Sequence, residues 1–255
     1  MYLSIILPYY KKKIFIKETL NSIINQSFKK HELILIYDQQ NLDDLKYIKK
    51  ILGNRIKYKI IINKKNIGVG RSRNIGIQKS NSKYIAFCDA DDLWHKKKTQ
   101  LQLEIMKKNK LGFTHSSYNL INSKNKIIGK MPVKKFLKYK DLIKSCDIAL
   151  SSVIIKRSLL KKSLKFGLTK TKEDYLLWLK LSKVTKIYGI NKTLLSWRKT
   201  DNSLSSDVSQ KFYDAYKVYK NIENKNALIT IFLVLRLSIF YLIKKISQKL
   251  FNVFY

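Results

Sequence analysis

Three aspartates follow a short apolar stretch in the first half of the chain. Residues Tyr84 to Cys88 have the apolar character of a buried β-strand, and Asp89, Asp91 and Asp92 come directly after it. Because the carboxyl ends of the strands in an open α/β sheet form its ligand crevice, Asp89 and Asp91 could share one hard divalent cation, which would bind a diphosphate. For an isolated Asp-x-Asp, the simpler interpretation is that one aspartate caps a helix beginning near Leu93.

Aromatic and polar residues also follow three other predicted strands. Tyr10 follows the first strand, Asp38 follows the second, and the stretch from Asn66 to Asn74 follows the third. The ring of Tyr10 could stack on a nucleobase, and the carboxylate of Asp38 could accept the imide N–H of uracil. Arg71 or Arg73 could face a diphosphate. Together these segments predict a nucleotide pocket.

The order of the predicted elements indicates a mostly parallel sheet with flanking helices. Apolar runs and helical periodicities alternate through the first hundred residues, as is typical of a doubly wound α/β fold. The pattern predicts strands over Leu3–Pro8, Leu33–Tyr37, Tyr58–Ile62 and Tyr84–Cys88. It predicts helices over Phe15–Gln26 and Gly70–Gln78, and between them a helix with Asn41 as its N-cap that runs through Leu52. Further along, it predicts strands near 112–116 and 152–155 and helices near 139–145, 173–181 and 208–222.

The chain carries a large excess of positive charge. Its 53 lysines and arginines against 17 aspartates and glutamates give a formal net charge of +36. Lys, Ile and Asn are abundant throughout while Arg is rare, which indicates codon bias and weakens the charge as evidence for a partner. We expect no nucleic-acid partner, since Lys is spread along the chain without a nucleic-acid-binding motif; a basic nucleic-acid-binding protein is the less favoured alternative. Cys88 and Cys146 lack metal-binding spacing, so we expect buried thiols.

A nearly continuous apolar segment lies close to the C-terminus. It runs from Ala227 to Ile243, has Arg236 near its centre and is followed by several lysines. A helix of this length spans roughly 26 Å, which is short of a bilayer core, and a central arginine would be costly there. We therefore predict a helix in the membrane interface, with a helix packed on the domain as the alternative. The predicted division is a main domain over 1–205 and a helical extension over 206–255.

The motifs together resemble glycosyltransferase family 2, the inverting enzymes of the GT-A fold. The resemblance covers roughly the first two hundred residues, in which the motifs occur in the family's order. The residues that carry it are Pro8 at the end of the first strand and Tyr10 after it, Asp38 after the second, Asn66, Gly68, Arg73 and Asn74 before and within the next helix, Asp89 and Asp91, the Glu173–Asp174 pair, and the later Arg198.

This resemblance implies metal-dependent transfer of a sugar from a nucleoside diphosphate, UDP in the first instance, to a glycan hydroxyl with inversion. Asp174 would be the catalytic base, Asp91 and Asp89 would hold Mg²⁺ or Mn²⁺, and Arg198 would neutralise the leaving group. Asp92 would either contact the donor sugar or cap a helix. The implied donor site comprises Pro8, Tyr10, Asp38, Asn66, Gly68, Arg71, Arg73, Asn74, Asp89, Asp92 and Arg198.

The resemblance implies that Glu173 lies on the acceptor side. Trp197 is either a core aromatic or part of the acceptor-side sugar site, since the faces of sugars pack on indole rings. Without the other motifs, the acid pair that begins with Glu173 would be interpreted as helix N-terminal acids favoured by the helix dipole. Lys11, Tyr37 and Thr200 stand where the family has Asn, an acid and His. These departures keep open the alternative of an inactive scaffold with the same fold.

Partners and location are also implied by the resemblance, because family members commonly build surface or lipid-linked glycans. We expect a nucleotide-sugar donor, a glycan or lipid-linked glycan acceptor, and a role in surface polysaccharide or lipopolysaccharide biosynthesis. The first strand begins at Leu3, so we expect no secretory leader. Together with the apolar C-terminal segment, this predicts a cytoplasmic protein bound peripherally to the cytoplasmic face of an anionic membrane.

Overall fold

A computed structural model describes residues 2–145, 148–160, 165–200, 207–223 and 226–253. Strands and α-helices alternate through the first half of these residues. The strands are β1 (Leu3–Tyr9), β2 (His31–Tyr37), β3 (Tyr58–Ile62), β4 (Tyr84–Phe87), β5 (Leu93–Trp94), β6 (Phe113–Ile121), β7 (Ile127–Met131), β8 (Phe136–Leu137), β9 (Ile154–Lys156) and β10 (Ile187–Arg198). The helices are α1 (Lys13–Ile24), α2 (Asp43–Leu52), α3 (Val69–Lys79), α4 (Lys98–Lys108), α5 (Tyr139–Leu142), α6 (Glu173–Ser182), α7 (Val208–Glu223) and α8 (Ala227–Val253).

The strands of the described residues form one sheet in the order β3-β2-β1-β4-β9-β6-β10-β5, with β7 paired to β6 and β8 to β10. Strands β1 to β4 are parallel to one another, β9 is antiparallel to both β4 and β6, and β6 is parallel to β10. Strands β1, β2, β4, β6 and β10 therefore point the same way. Their carboxyl ends meet at one edge of the sheet, where the fold class predicts the ligand crevice.

The core lies on both faces of this sheet because side chains alternate along each strand. In β1, Leu3, Ile5 and Leu7 belong to the cluster that also contains the buried residues of α1 and α2. Ile6, which lies between two of them in sequence, belongs to the opposite cluster with the fully buried Trp178 of α6. Both faces of the parallel strands are thus covered by helices, which explains why their sequences are apolar throughout.

The mostly parallel α/β fold was predictable, and the elements of the first ninety residues agree with the predicted ones to within about three residues. The predicted start of the next helix near Leu93 is wrong. Leu93 and Trp94 form β5, which pairs with Ser196 and Leu195 of β10, and α4 begins only at Lys98. Backbone pairing to a strand a hundred residues later overrides the local preference at this point.

The C-terminal helices follow the sheet. The predicted boundary between 205 and 206 lies outside the described residues, and the predicted helices on its far side correspond to α7 and α8. Leu233, Val234 and Leu237 of α8 are buried in the same cluster as Trp178. Within the described part of the chain, no helix is long and apolar enough to cross a membrane.

The two cysteines were expected to be buried thiols. Cys88, directly after β4, is a fully buried free thiol, as expected. Cys146 lies outside the described residues.

Candidate functional site

The carboxyl ends of β1, β2 and β4 bring three predicted site residues to one edge of the sheet. Tyr10 follows β1, Asp38 follows β2, and Asp89 comes two residues after β4. The backbone N–H of Asp38 donates to the carbonyl of Tyr9 over 2.9 Å, which continues the pairing of β1 and β2 beyond the strands. Tyr10 is 44% exposed, whereas Pro8 is buried within β1 opposite Ile36. The Tyr10 ring is therefore accessible to a ligand.

The carboxylate of Asp38 holds the loop that leads into α3. Its Oδ1 accepts from Asn63 Nδ2 at 2.8 Å and from the backbone of Ile67 at 3.0 Å, and its Oδ2 accepts from the backbone of Gly68 at 3.1 Å. Gly68 has φ +87°, a conformation that favours glycine. The amide of Asn66 donates to the Asp38 carbonyl at 3.3 Å. A carboxylate has about four acceptor positions and these bonds fill three of them; a contact from Asp38 to a base stays a prediction.

Both carboxylates of the Asp-x-Asp face cations of this chain. Asp89 Oδ1 accepts from Arg73 Nη2 at 2.7 Å, and Asp91 Oδ2 lies 2.7 Å from the Lys12 ammonium. Burial raises the pKa of Asp91, and the Lys12 charge opposes that rise. The Asp89 backbone N–H donates to Ser151 Oγ at 2.9 Å, which fixes the start of the loop.

Asp92 supports the loop from inside the protein. It is 1% exposed, and its Oδ1 accepts from the backbone N–H of Arg198 at 2.9 Å. Burial raises its pKa well above the ordinary value, and the charges of Asp91 and Asp89 add to the rise. Since α4 begins only at Lys98, the helix-cap alternative for Asp92 is wrong. The contact to a donor sugar stays a prediction.

Arg73 connects the Asp-x-Asp to the beginning of α6. Its guanidinium donates to Asp89 through Nη2 and to Glu173 Oε1 through Nη1, and it lies 5.3 Å from the ring centre of Phe166. The residue is 3% exposed. The structure therefore places Arg73 between two carboxylates, whereas Arg71 is exposed in the first turn of α3.

Helix α3 packs tightly against the segment that precedes α6. Asn74 Nδ2 donates to the Phe166 carbonyl at 3.2 Å, and its Oδ1 accepts from the Phe166 N–H at 3.0 Å. A Cβ on Gly70 would lie only 2.2 Å from the carbonyl oxygen of Gly167, so this approach requires glycine. These contacts hold the start of α6 beside the aspartate loop.

The two acids that begin α6 lie in a region of surplus negative charge. Lys172 precedes them in the left-handed conformation, with φ +59°, and Asp174 Oδ1 accepts from the Tyr175 N–H at 2.7 Å. Burial raises the pKa of Glu173 to about 7 and raises that of Asp174, and Arg73 opposes both shifts. A carboxyl whose pKa is raised towards neutrality is a stronger base when it is ionised.

The observed partners of Arg198 are residues of this chain, whereas its predicted partner is the leaving group. Its side chain is fully buried, and it donates to Glu18 Oε2 at 2.8 Å, to Asn125 Oδ1 at 2.7 Å and to the Asp91 carbonyl at 2.8 Å. It therefore ties the aspartate loop to α1 and to the β6–β7 turn. A contact from Arg198 to a leaving group stays a prediction that would require these bonds to rearrange. The neighbouring Trp197 is partly buried against the core, and its acceptor-side role is likewise a prediction.

Several contributors to the site were not predicted from the sequence, namely Lys12, Glu18, Asn63, Asn125 and Ser151. Each acts through a contact with a residue far along the chain, such as the 180 positions between Glu18 and Arg198. Lys12 is the one that lies nearest in sequence to a predicted motif, because it comes shortly after Pro8 and Tyr10. Side-chain type alone does not distinguish it from the neighbouring lysines.

The donor chemistry of the site fits a hard divalent cation. Asp89 and Asp91 offer carboxylate oxygens, and the described residues contain no group of three or more acidic, His or Cys side chains able to hold a metal alone. Mg²⁺ and similar ions are commonly held by one or two carboxylates together with substrate phosphates. The acid cluster, meaning Asp89, Asp91, Asp92, Glu173 and Asp174, outnumbers the cations Arg73 and Lys12 that form ion pairs with it in the described residues.

The chain is similar to known proteins in its family profile, its sequence and its fold. The sequence profile of the family described as Glycosyl transferase family 2 matches residues 4–164. An uncharacterized glycosyltransferase of Rickettsia conorii is 35% identical over 75% of this chain, and the chain spans only 32% of that relative's length.

The chain is also similar to a relative of comparable length and to a solved structure. The Escherichia coli protein WfgD, named a UDP-Glc:α-D-GlcNAc-diphosphoundecaprenol β-1,3-glucosyltransferase, is 32% identical over 80% of this chain and 79% of its own length. The crystal structure of Staphylococcus aureus TarS with UDP-GlcNAc superposes with a TM-score of 0.73 at 20% identity, covering 87% of this chain and 65% of TarS. This likeness shows a shared GT-A fold.

Proposed function

The chain belongs to glycosyl transferase family 2, and we propose that it transfers a sugar from a UDP-sugar to a hydroxyl group of a glycan with inversion at the anomeric carbon. The observation that carries the proposal is the Arg73 bridge. It joins Asp89, on the donor side, to Glu173, which directly precedes the proposed base. Two sets of acids from distant parts of the chain are therefore held together, as a displacement between two substrates requires.

In the proposed reaction, Asp174 acts as the general base. Its carboxylate takes the proton from the acceptor hydroxyl while the hydroxyl oxygen bonds to the anomeric carbon. The bond from that carbon to the diphosphate oxygen breaks, and UDP leaves with its electron pair. Attack opposite the leaving group inverts the configuration in a single step. The raised pKa of Asp174 supports this role, because a carboxylate with a raised pKa is the stronger base.

We assign Asp91 and Asp89 as the residues that hold Mg²⁺ or Mn²⁺ with the donor. Such an ion supplies positive charge that offsets the charge developing on the diphosphate. The chain's own residues position this charge: Ser151 and Arg73 fix Asp89, and Arg198 fixes the Asp91 backbone. Tyr10 would stack on the base, and Asp38 would offer its remaining acceptor position to it.

The proposed acceptor is a lipid-linked glycan of surface polysaccharide or lipopolysaccharide biosynthesis. Support comes from the Escherichia coli relative, whose name specifies a diphosphoundecaprenol-linked acceptor and a UDP-glucose donor. The proposal includes a position at the cytoplasmic face of the membrane, where a soluble nucleotide sugar and a lipid-linked acceptor can meet.

The exposed face of α8 supports contact with that membrane. Leu228, Phe232, Leu235, Ile239 and Ile243 are each more than half exposed, and their spacing puts them along one stripe of the helix. A net charge of +36 would favour an anionic lipid surface and would oppose pairing with a second copy of the chain. We propose that this stripe lies in the membrane interface.

Calorimetric binding of UDP tests the donor assignment, with GDP as the comparison. We expect UDP to bind in the presence of Mn²⁺, and binding to be weakened at least about tenfold by Asp91→Ala. Asp43→Ala removes an exposed carboxylate from the first turn of α2 and should leave binding unchanged. Binding of neither nucleotide to the folded wild-type protein would overturn the proposal.

A further inference from the structure

Lys12 covers one oxygen of the proposed metal site. Its Nζ lies 2.7 Å from Asp91 Oδ2, and the Lys12 side chain is 28% exposed. The cation on the other aspartate is different, because the Arg73 side chain is 4% exposed and also bonds Glu173. Lys12 makes one ion pair in the described residues and has a flexible stem, so it is the cation that can leave.

The turn between β1 and α1 directs Lys12 towards the aspartates. Lys11 adopts the left-handed conformation, with φ +48°, which is uncommon for a residue other than glycine. Its backbone N–H donates to Gln39 Oε1 at 2.8 Å, and this bond ties the turn to the loop after β2. The backbone turn at the edge of the crevice therefore sets the position of Lys12, in addition to the contact made by the Lys12 side chain.

We propose that Lys12 is a displaceable counter-ion of Asp91, which a divalent metal must replace when it binds. The inference rests on the proposed function, because it requires Asp91 to be a metal ligand. An ammonium group and a divalent ion repel each other, so they cannot share one carboxylate oxygen at bonding distance.

The arrangement makes metal binding depend on the donor. Without nucleotide, a metal that takes Asp91 Oδ2 must break the Lys12–Asp91 pair and leave the ammonium group beside a second positive charge. With a nucleoside diphosphate bound, the released ammonium gains phosphate oxygens as new partners. Metal and nucleotide should therefore strengthen each other's binding, and part of that coupling should pass through Lys12.

Mn²⁺ titration without nucleotide, followed by the paramagnetic resonance signal of the free ion, tests this role. We expect Lys12→Met to bind Mn²⁺ about fivefold more tightly than the wild type, which corresponds to the loss of one partly exposed ion pair. Lys13→Met is the matched control: it removes the same charge from the next residue, which is 60% exposed and pairs with Asp44 at 3.2 Å. We expect it to stay within about twofold of the wild type.

Repeating the titration at saturating UDP separates this inference from the proposed function. In the wild type we expect UDP to raise Mn²⁺ affinity, and in Lys12→Met the increase should be smaller. If the wild type still binds UDP with Mn²⁺, unchanged or weaker Mn²⁺ binding by Lys12→Met would overturn the proposed role of Lys12 and leave the proposed function standing. An equal gain in Mn²⁺ affinity in Lys13→Met would have the same consequence. An absence of Mn²⁺ binding in all three folded proteins, with and without UDP, would overturn both proposals.

Discussion

Arg73 is the residue through which the two acid-bearing segments of the site meet. Its guanidinium satisfies Asp89 and Glu173 at once, with almost no exposure to solvent. A planar group with fixed donor directions suits this task better than a lysine, whose charge is a single point. The pair with Glu173 is buried, whereas the Asp89 side chain is 32% exposed, so breaking the bridge leaves Glu173 as the carboxylate that water cannot fully solvate.

Replacement of Arg73 should therefore destabilise the whole protein. We expect Arg73→Met to lower the free energy of unfolding by about 3–5 kcal/mol, because Asp89 and Glu173 lose their shared partner. The matched change Arg71→Met lies on the exposed face of the same helix and should cost less than about 0.5 kcal/mol. Urea unfolding of both variants measures the difference; equal losses would show that the bridge contributes little.

Lys98 is a buried lysine that forms no ion pair within the described part of the chain. It is fully buried, its Nζ lies 4.0 Å from the ring centre of Trp94, and no hydrogen-bond partner for it occurs among the described residues. Burial lowers its pKa from 10.5 to about 7. Between those pH values the unfolded chain binds the extra proton, so this residue makes stability rise with pH.

Lys98→Met should therefore stabilise the protein at pH 7 by about 1–3 kcal/mol. The gain should shrink as the pH approaches about 10, where the wild-type lysine is neutral in the folded state and increasingly neutral in the unfolded one. Lys97→Met changes an exposed neighbour and should alter stability little at either pH. Urea unfolding at about pH 7 and about pH 9.5 checks this; a gain that stays constant or increases with pH would contradict it.

The types of the site residues could be predicted from the sequence, but most of their contacts could not. Asp89 and Asp91 were recognisable because they follow an apolar strand, a local signal. The bond between Arg73 and Glu173 joins residues 100 positions apart, and the Lys12–Asp91 pair depends on an unusual backbone turn. Such contacts arise from packing, to which periodicity and motif spacing are insensitive.

At the scale of elements, β10 accounts for most of the difference between prediction and structure. The alternation of apolar residues in Ile187–Arg198 is interrupted near Asn191 and Lys192, where the pairing with β6 shifts register twice. No strand was predicted there. Because β5 pairs with β10, missing β10 also led to the wrong helix start near Leu93. The regular β1–α3 region, by contrast, was predicted from local patterns alone.

Helix α3 packs on the segment before α6 through a close backbone contact at Gly70. Gly70→Ala should destabilise the protein by about 1–3 kcal/mol, because its Cβ would lie 2.2 Å from the backbone oxygen of Gly167. Gly129→Ala is a milder change, since its Cβ would lie 3.2 Å from the movable Leu120 side chain. Thermal unfolding of both variants measures the costs; a loss no greater at Gly70 than at Gly129 would contradict this packing.

For the whole molecule, the stripe on α8 and the positive charge should act together at a membrane. Replacing Phe232 and Ile239 with Ser should weaken binding to vesicles rich in phosphatidylglycerol at least about tenfold, because two apolar side chains no longer enter the interface. The control replaces Ile127 and Ile128 with Ser, since both are exposed in β7 on another part of the surface. Vesicle flotation compares the two variants; equal binding would contradict an interfacial role for α8.

The configuration of the sugar after transfer, together with the effect of Asp174→Asn, shows directly whether this chain is an inverting glycosyltransferase with Asp174 as its base. UDP-glucose and other UDP sugars would be offered with a lipid-linked GlcNAc diphosphate, and the product's anomeric configuration read by proton NMR. We expect inversion, and we expect Asp174→Asn to reduce transfer by about 10²–10⁴-fold while UDP binding with Mn²⁺ is preserved. Retained configuration would contradict the inverting mechanism, and an Asp174→Asn variant as active as the wild type would contradict the role of Asp174 as the base.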